Sequence, residues 1–415
     1  MCASSGLPAS LVPYAQGSVT SPDGWRAGTA ACGLRTSQGA DLALVVSERD
    51  CTAAGLFTRN QVTAAPVVVD QVVLQSNPHQ MRAVVINAGV ANACTGATGL
   101  RSARATQEAA AALVDCRPDQ VLVMSTGLIG AQLDMDKVTK GIATASRDLS
   151  PESGLEAARA IMTTDTRPKH CAVSVEGQAG RYSIGGIAKG AGMIHPDMAT
   201  MLALITTDAA VEASLLQSLL AGAADRSFHR ISVDGDTSTN DTVLLLANGS
   251  SGVPVEADGS ELFAQALRWV CRELAMAIVR DGEGASRLLE LHITGARSEE
   301  EALLAARAIA TSPLVKTAVA GGDPNWGRII AAAGRSGAQL DAGRLRLWVG
   351  PGDSPDTLIV DEGTEVSAGL KAAGRAFKGD ELSIRLDLAV GEAETRFWTT
   401  DLTHEYVSIN AEYHT

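Results

Sequence analysis

Thr200 is the residue whose surroundings most directly suggest chemistry, because the chain changes character there. The preceding segment, residues 185–199, is dense in glycine and contains one lysine, Lys189, a composition typical of a bent loop. The following run, MLALITT, is short, apolar and partly β-branched, which predicts a strand buried on both faces. We therefore expect Thr200 at the mouth of a core strand.

A threonine hydroxyl is an effective nucleophile only when a base lies beside it. One known arrangement makes the threonine the first residue of a chain, so that its own α-amine serves as the base. An internal Thr200 reaches that state only if the bond between Ala199 and Thr200 is cut. The alternative is that Thr200 simply opens a strand, and the local pattern alone favours this structural interpretation.

The composition argues against several classes of function. The 415 residues carry a formal net charge of −13, whereas nucleic acids and anionic membranes require a basic protein surface. The seven cysteines lack CxxC pairs and the seven histidines lack ligand spacing, so we predict no metal and the reduced thiols of a cytoplasmic protein. We also expect no nucleotide cofactor, signal peptide or membrane span, because the corresponding patterns are missing.

The pattern of expected strands and helices indicates layered α and β structure, and the chain length indicates one large domain or two. Strands are expected at residues 42–46, 67–74, 81–87 and 121–124, and helices at residues 101–116, 135–147, 151–162, 211–224 and 261–280. The strand at residues 121–124 leads into Ser125, Thr126 and Gly127. Ligand sites in α/β layers often lie at such carboxyl ends, so these three residues are site candidates.

The C-terminal half contains a polar loop and further predicted elements. A strand is expected to begin at Ile231 and lead into the polar loop that ends at Asp241. Ser298 followed by Glu301 is typical of a capping box for a helix through Ala310. The alternating segments at residues 382–390 and 395–400 predict a hairpin with one buried face.

Three groups in this half have both a structural and a functional interpretation. Asp234 and Asp236 could bind calcium, but no EF-hand pattern follows, so we favour a hydrogen-bonded turn. Glu283 stands between two glycines and is either a solvated loop acid or a site residue, and the sequence alone favours the former. Residues 323–325, with the sequence DPN, are equally compatible with a helix start and with a site, and we leave them out of the catalytic set.

An ordered set of motifs resembles the ornithine acetyltransferase family, the bifunctional acetyltransferases of arginine biosynthesis. The set begins with GWRAGTAACGL at residues 24–34 and continues with STG, TTDT, KGAGMIHPDMATML, DGDTSTND, DGEGA, DPNWGR and the terminal INAEYHT. The match covers nearly the whole chain. It departs from the family at Val90, where the family usually carries asparagine.

The resemblance implies roles for individual residues. In such a protein the bond between Ala199 and Thr200 breaks autocatalytically and the new N-terminal Thr200 carries the acetyl group, while Thr126 and Gly127 form the oxyanion hole. Lys189 can neutralise a substrate carboxylate and Glu283 can meet an ammonium, and amino-acid substrates carry both groups. The full substrate-binding set that the resemblance implies is Thr163, Lys189, Thr200, Glu283, Asn410 and Thr415.

The resemblance also implies an α+β fold, an αββα sandwich similar to N-terminal-nucleophile hydrolases, with additional C-terminal α/β elements. Cleavage would give an α chain of residues 1–199 and a β chain of residues 200–415, which assemble as an α2β2 heterotetramer. The implied activity is transfer of acetyl from N2-acetylornithine to glutamate without a bound cofactor, and use of acetyl-CoA as a second donor stays open. Two other interpretations are an N-terminal-nucleophile amidohydrolase or aminopeptidase, and an unprocessed amino-acid-binding protein.

Overall fold

The structure is a computed structural model that describes residues 7–36, 38–195, 201–353 and 355–412. Ala199, Thr200 and Thr415, which the sequence singles out, lie outside the described residues. The described chain divides into two compact units. The first comprises residues 7–229 and 236–278, and the second comprises residues 230–235 and 279–412.

The first unit contains two main sheets, a short two-stranded sheet of Ala210–Val211 and Pro254–Val255, and helices. Its strands are β1 (Leu11–Pro13), β2 (Trp25–Ala30), β3 (Leu42–Phe57), β4 (Met81–Val90), β5 (Val121–Leu128), β6 (Lys169–Gly177), β7 (Gly180–Lys189), β8 (Leu202–Thr207), β9 (Ala210–Val211), β10 (Thr242–Ala247) and β11 (Pro254–Val255). Its helices are α1 (Ala65–Ser76), α2 (Gly96–Val114), α3 (Met135–Ala145), α4 (Gly154–Ala160), α5 (Ala213–Ala224) and α6 (Glu261–Arg280).

The two main sheets share the long strand β3. The first half of β3 pairs with β2 and β4, and β5 continues that sheet. The second half pairs with β10, which leads through β8, β7 and β6 to β1. Since side chains alternate along a strand, every second residue of each sheet points into a shared core. Val45, Ile86 and Leu122 of one sheet meet Leu204 and Leu244 of the other there.

Helices cover the outer faces of both sheets. The alternate residues of the first sheet, such as Leu44 and Val123, form a second core with α1, α2 and α3. On the second sheet, the ring of Phe263 in α6 stacks on Tyr182 in β7 with 5.8 Å between centroids. The buried face of α6 is the one that its sequence period predicts. This order of layers confirms the predicted αββα sandwich and α+β class.

The strand β7 shows that part of the predicted bent loop is wrong. Residues 185–189 lie inside a regular antiparallel strand that pairs with both β6 and β8. Glycine is required here because a Cβ at Gly185 would lie 2.0 Å from the carbonyl oxygen of Ser18. The density of glycine therefore reflects close packing. The strand β8 is buried at every position, as its apolar run predicts.

Residues 67–74 belong to α1, so the strand predicted there is wrong. Val69 and Val73 are buried whereas Val68 and Val72 are exposed, which is the spacing of a helix face. A short β-branched run has no clear period, and its weak strand propensity is outweighed by packing of the helix on the sheet. Pro66 stands in the first turn of the helix, where its missing N–H leaves no bond unmade.

The second unit is a single sheet with helices. Its strands are β12 (Leu288–Ala296), β13 (Arg346–Pro351), β14 (Thr357–Asp361), β15 (Thr364–Glu365), β16 (Glu381–Asp387) and β17 (Ala393–Thr400), in the spatial order β15-β14-β13-β16-β12-β17. Its helices are α7 (Glu299–Ala310), α8 (Pro313–Ala320), α9 (Trp326–Gly334), α10 (Ser367–Ala373) and α11 (His404–Glu412).

Two predictions about this unit are wrong and one is confirmed. The strands β16 and β17 do not form a hairpin, because each pairs with a different edge of β12. Alternation identifies a strand but not its partner. Ile231 makes only an isolated bridge to Trp398, so the strand predicted there is absent from the described residues. The Ser298 hydroxyl accepts a hydrogen bond from the Glu301 N–H and caps α7, which confirms the cap, while the Glu301 carboxylate accepts from the Gln339 N–H.

No helix of the described chain is by itself both long and apolar enough to cross a membrane. By length and composition, α7 and α8 together could, but they meet at a bend of 58°.

Candidate active site

Thr126 and Gly127 lie near the carboxyl end of β5, beside the parallel strand β4. Two side-chain amides hold this end in place. Asn87 accepts a hydrogen bond from the Ser125 hydroxyl at 2.6 Å, and Asn240 donates to the carbonyl oxygens of Ala91 and Ser125 at 2.6 and 2.8 Å. Thr126 is buried, and the residue before it, Ser125, is held by hydrogen bonds with Asn87 and Asn240.

Gly127 occupies a position that only glycine fits. Its φ is +129°, in the region that side chains disfavour. A Cβ there would lie 2.2 Å from the carbonyl carbon of Gly89. The backbone of β5 therefore approaches β4 closely directly after Thr126.

The Lys189 side chain lies at the end of β7 and contacts Thr126. Its ammonium donates a hydrogen bond of 3.3 Å to the Thr126 hydroxyl oxygen, and the lysine is only 2% exposed. Since the ammonium is the donor, the hydroxyl keeps its own hydrogen for another acceptor. A hydroxyl in this state can donate to a developing oxyanion.

Asp165 organises the surroundings of Lys189. Its Oδ1 accepts hydrogen bonds from the Lys169 ammonium at 2.5 Å and from the Gly190 N–H at 2.7 Å, and its Oδ2 lies 4.0 Å from the Lys189 ammonium. Burial alone would raise the pKa of this carboxyl, but Lys189, Lys169 and the Gly190 N–H lower it to about 2. Asp165 is thus a buried anion that two lysines share.

Thr163 belongs to the same cluster. Its backbone N–H donates to Asp165 Oδ2 at 3.0 Å, and its side chain is half-buried. The structure therefore brings together four of the residues that the sequence singles out, namely Thr126, Gly127, Thr163 and Lys189. Sequence reasoning missed Asp165, although it is the third residue of the TTDT motif. Its position two residues after Thr163, a candidate binding residue, was the feature of the sequence that could have identified it.

Asp241 is a second carboxyl that the sequence did not single out. Its Oδ1 accepts a hydrogen bond of 2.9 Å from the N–H of Met201, the residue that follows Thr200. The parallel pairing of Thr242 with Leu202 fixes this contact in register, and Leu202 also pairs with Lys189. Burial raises the pKa of the Asp241 carboxyl well above its ordinary range, although hydrogen bonds with the Met201 N–H, the Thr58 side chain and the Ser238 N–H and the charge of Lys189 oppose this effect. Asp241 is the last residue of the DGDTSTND motif, and its place in that motif was the feature of the sequence that could have identified it.

Glu283 and Asn410 are joined within the second unit. The Asn410 side-chain amide donates to Glu283 Oε2 at 2.9 Å. Gly284 makes this arrangement possible, because its φ is +64° and a Cβ there would lie 2.3 Å from the Tyr406 backbone nitrogen. Glu283 is therefore a positioned, half-buried acid rather than a freely solvated one.

Asp234 and Asn325 of the second unit make structural hydrogen bonds. Asp234, considered above for calcium, accepts a hydrogen bond of 3.3 Å from the Tyr406 hydroxyl. No group of three or more metal-binding side chains occurs among the residues that the structure describes. The Asn325 side chain accepts a hydrogen bond from the Arg328 N–H and caps α9, which supports the structural interpretation of the DPN sequence.

Comparison with known proteins agrees with the motifs. A model described as the ArgJ family matches residues 26–415. The arginine biosynthesis bifunctional protein ArgJ of Symbiobacterium thermophilum is 48% identical over 405 residues, which cover 96% of this chain and 99% of the relative. The glutamate N-acetyltransferase of Methanocaldococcus jannaschii is 45% identical over 408 residues, with coverage of 96% and 99%.

Among solved structures, one similar chain is the ornithine acetyltransferase of Mycobacterium tuberculosis in complex with ornithine. It is 42% identical, and the similarity covers 45% of this chain and 98% of that chain with a TM-score of 0.42.

Proposed function

The chain belongs to the ArgJ family, and from this premise we propose that it is an acetyltransferase of arginine biosynthesis that moves acetyl from N2-acetyl-L-ornithine to L-glutamate. The observation that supports this site is the hydrogen bond between the Lys189 ammonium and the Thr126 hydroxyl. In the proposal, the ammonium is a buried cation and the hydroxyl beside it is an oxyanion donor. An acetylated amino acid needs both, a cation for its carboxylate and donors for its acetyl oxygen.

In the first half-reaction, the Thr200 hydroxyl attacks the acetyl carbonyl of acetylornithine. The α-amine of Thr200 takes the hydroxyl proton and passes it to the leaving amine of ornithine. A bond forms between Thr200 Oγ1 and the acetyl carbon, and the amide bond of acetylornithine breaks. Thr126 and Gly127 stabilise the negative charge that develops on the acetyl oxygen.

In the second half-reaction, the amine of glutamate attacks the acetyl ester on Thr200. The ester bond breaks, and the proton of the glutamate amine returns to the Thr200 hydroxyl. The substrate-binding residues that we propose from the family motifs are Thr163, Lys189, Thr200, Glu283, Asn410 and Thr415. Lys189 can neutralise a substrate carboxylate and Glu283 can bind an ammonium.

The nucleophile requires processing of the chain. We propose that the bond between Ala199 and Thr200 breaks autocatalytically, which gives an α chain of residues 1–199 and a β chain of residues 200–415. Two copies of each form an α2β2 heterotetramer that works in the cytoplasm with neither a bound cofactor nor a metal. Acetyl-CoA is proposed as a second acetyl donor, which is compatible with the word bifunctional in the names of the relatives.

Sustained turnover of acetylornithine separates this function from its rivals. A transferase releases ornithine continuously only when glutamate is present, and it forms acetylglutamate in equal amount. An N-terminal-nucleophile amidohydrolase or aminopeptidase releases ornithine without glutamate, because water resolves the acyl-enzyme. An unprocessed amino-acid-binding protein releases none. Ornithine release that is independent of glutamate would contradict the proposal.

A further inference from the structure

Lys316 is a lysine in the middle of α8 whose ammonium group is buried inside the second unit. The residue is 4% exposed, and its ammonium donates hydrogen bonds to the Thr399 hydroxyl at 3.3 Å, to the Thr400 hydroxyl at 3.0 Å and to the Thr400 carbonyl oxygen. An ammonium has three N–H groups, so each of them has an acceptor here. All donors of this cation are therefore directed at the carboxyl end of β17.

This placement costs stability, because burial disfavours the charged form of a lysine. Burial lowers the pKa of the Lys316 ammonium to about 8, although the carboxylates of Asp401 and Asp234 oppose this effect. The Arg287 guanidinium lies 4.0 Å from Asp401 Oδ2 and offsets part of the influence of that carboxylate. An apolar side chain of similar volume would fill the same space without this cost. The lysine therefore indicates a role beyond packing.

The segment that Lys316 holds continues into Asp401, which fixes the loop before β12. Asp401 follows Thr400 directly, and its carboxylate accepts hydrogen bonds from the N–H groups of Ser286 and Arg287 at 2.9 and 3.1 Å. These two residues stand directly before β12. The position of the end of β17 therefore determines the position of the loop that leads into β12.

The same loop and the same segment carry Glu283 and Asn410. The Thr403 hydroxyl donates a hydrogen bond of 2.6 Å to the carbonyl oxygen of Gly284, the residue after Glu283. Thr403 also directly precedes α11, in which Asn410 lies and from which its amide binds Glu283. A change in the position of residues 399–403 is therefore transmitted to both partners of the Glu283–Asn410 pair.

We propose that Lys316 is a positioning residue for the Glu283–Asn410 pair, and that it acts by holding residues 399–403 with its charged ammonium. The inference rests on the proposed function, in which Glu283 and Asn410 bind the substrate. When the ammonium loses its proton, one of its three donors is lost, together with its attraction to Asp401 and Asp234. The segment is then held less firmly, and the acid that binds the substrate ammonium is less precisely placed.

Lys316→Met tests the proposal, with Arg346→Met as its matched control. Methionine keeps a long apolar side chain but has neither a charge nor an N–H donor. Arg346 is a cation of the same unit, and its ion pair with Asp361, at 2.8 Å, is about half-exposed. The measurements are kcat and KM for acetylornithine at a series of pH values between about 7 and 9.5, and the melting temperature at each pH.

We expect the KM of the wild type to rise above about pH 8 with little change in kcat, because the affected residues bind the substrate but do not contact the reacting atoms. In Lys316→Met, KM should be about tenfold higher already at pH 7, the effect of losing about one hydrogen bond. It should then stay constant as the pH rises through 8, because the group that titrates has been removed. Arg346→Met should have the wild-type KM at each pH.

Thermal stability should change in the opposite direction, which separates positioning from unfolding. The pKa of Lys316 is about 8 in the folded protein and 10.5 ordinarily, so the unfolded chain keeps this proton to higher pH. The stability of the wild type relative to Lys316→Met therefore increases as the pH rises from about 8. A rise in KM that accompanies this relative gain in stability is not caused by unfolding.

Thr400→Val is a second variant, which keeps the charge of Lys316. Valine has the shape of threonine without the hydroxyl, so the ammonium loses one of its acceptors. The loss disfavours the charged form and lowers the pKa of Lys316 further. The rise in KM should therefore begin at a lower pH than in the wild type.

A wild-type KM in Lys316→Met at every pH would overturn the proposal. An alkaline rise in KM that persists in this variant, or a loss of kcat without a change in KM, would also overturn it. If Lys316→Met does not fold, Thr400→Val decides alone, and a wild-type pH dependence of KM in that variant would contradict the proposal. None of these outcomes affects the proposed function, which fails only if the wild-type protein forms no acetylglutamate from acetylornithine and glutamate.

Discussion

The Lys189 ammonium and the Thr126 hydroxyl oxygen are 3.3 Å apart, although their strands belong to opposite sheets of the sandwich. The contact links the second sheet, in which β7 carries the lysine, to the first sheet, in which β5 carries the threonine. Both side chains are at most 5% exposed. An ammonium and a hydroxyl group are thus held together in a place of low solvent access, where electrostatic interactions are stronger than in water.

Thr126→Ala should lower kcat by about 10²-fold with a smaller change in KM. The hydroxyl donates mainly to the oxyanion of the transition state, and the loss of one such donor has an effect of about this size. Thr126→Ser is the matched control, because it keeps the hydroxyl and should retain most of the activity. Steady-state kinetics of the two processed variants checks this. An unchanged kcat with a raised KM in the alanine variant would make Thr126 a ground-state binding residue.

Lys189→Met should move the acid limb of kcat to higher pH. A free α-amine has a pKa of about 7.7–8.0, and it acts as the base only when it is unprotonated. The positive charge of Lys189 disfavours protonation of the Thr200 amine and lowers its pKa, so removal of the charge raises it. The pH profile of a processed, active variant measures the shift. A limb that does not move would leave Lys189 with carboxylate binding only.

Asp165→Asn should destabilise the protein by about 3–5 kcal/mol, the effect of breaking a buried ion pair, because two buried lysines lose their shared anion. Urea unfolding measures this in a Thr200→Ala background, in which the chain is expected to stay intact. Glu48→Gln is the control, because its ion pair with Arg26 is about half-exposed and should contribute at most about 1 kcal/mol. A loss no larger in Asp165→Asn than in Glu48→Gln would contradict the prediction.

The stabilisation by Asp165 should also depend on pH. The pKa of this carboxyl is about 2 in the folded protein, below its ordinary value of 3.8. The unfolded chain therefore binds a proton first as the pH falls, so the stabilisation is complete above about pH 4 and is lost towards pH 2. The difference in unfolding free energy between the wild type and Asp165→Asn should shrink over this range. A difference that stays constant would contradict the assignment.

The kinetics should be ping-pong, because a covalent acetyl-Thr200 divides the transfer into two half-reactions. Double-reciprocal plots for acetylornithine at several fixed glutamate concentrations are expected to be parallel. Intersecting lines would indicate that both substrates bind before any product leaves, which would count against the intermediate.

The candidate site residues that the sequence singles out are those that belong to a motif or stand at the end of a predicted strand. Thr126 and Gly127 follow an apolar run, and Lys189 lies in a glycine-rich segment next to a core strand. Asp165 and Asp241 were missed because their importance comes from burial and from partners on other strands. A polar residue in a loop motif looks solvated until the fold places it under a sheet edge.

The errors in the fold have a similar origin. The valine run of α1 has the composition of a strand, and only its packing on the first sheet makes it helical. The strands β16 and β17 are consecutive and alternate well, yet β12 lies between them. Pairing of strands depends on contacts between distant segments, which a local pattern does not contain. The helix α6 and the cap of α7 were predicted correctly because their signals are local.

The central claim is that Thr200 becomes an N-terminal nucleophile that carries the acetyl group. The most direct test is the intact mass of the purified protein before and after brief incubation with acetylornithine alone. We expect two chains, one ending at Ala199 and one beginning with the sequence TMLAL, and after incubation a β chain heavier by one acetyl group that maps to Thr200. A single full-length chain that nevertheless transfers acetyl to glutamate would contradict the account.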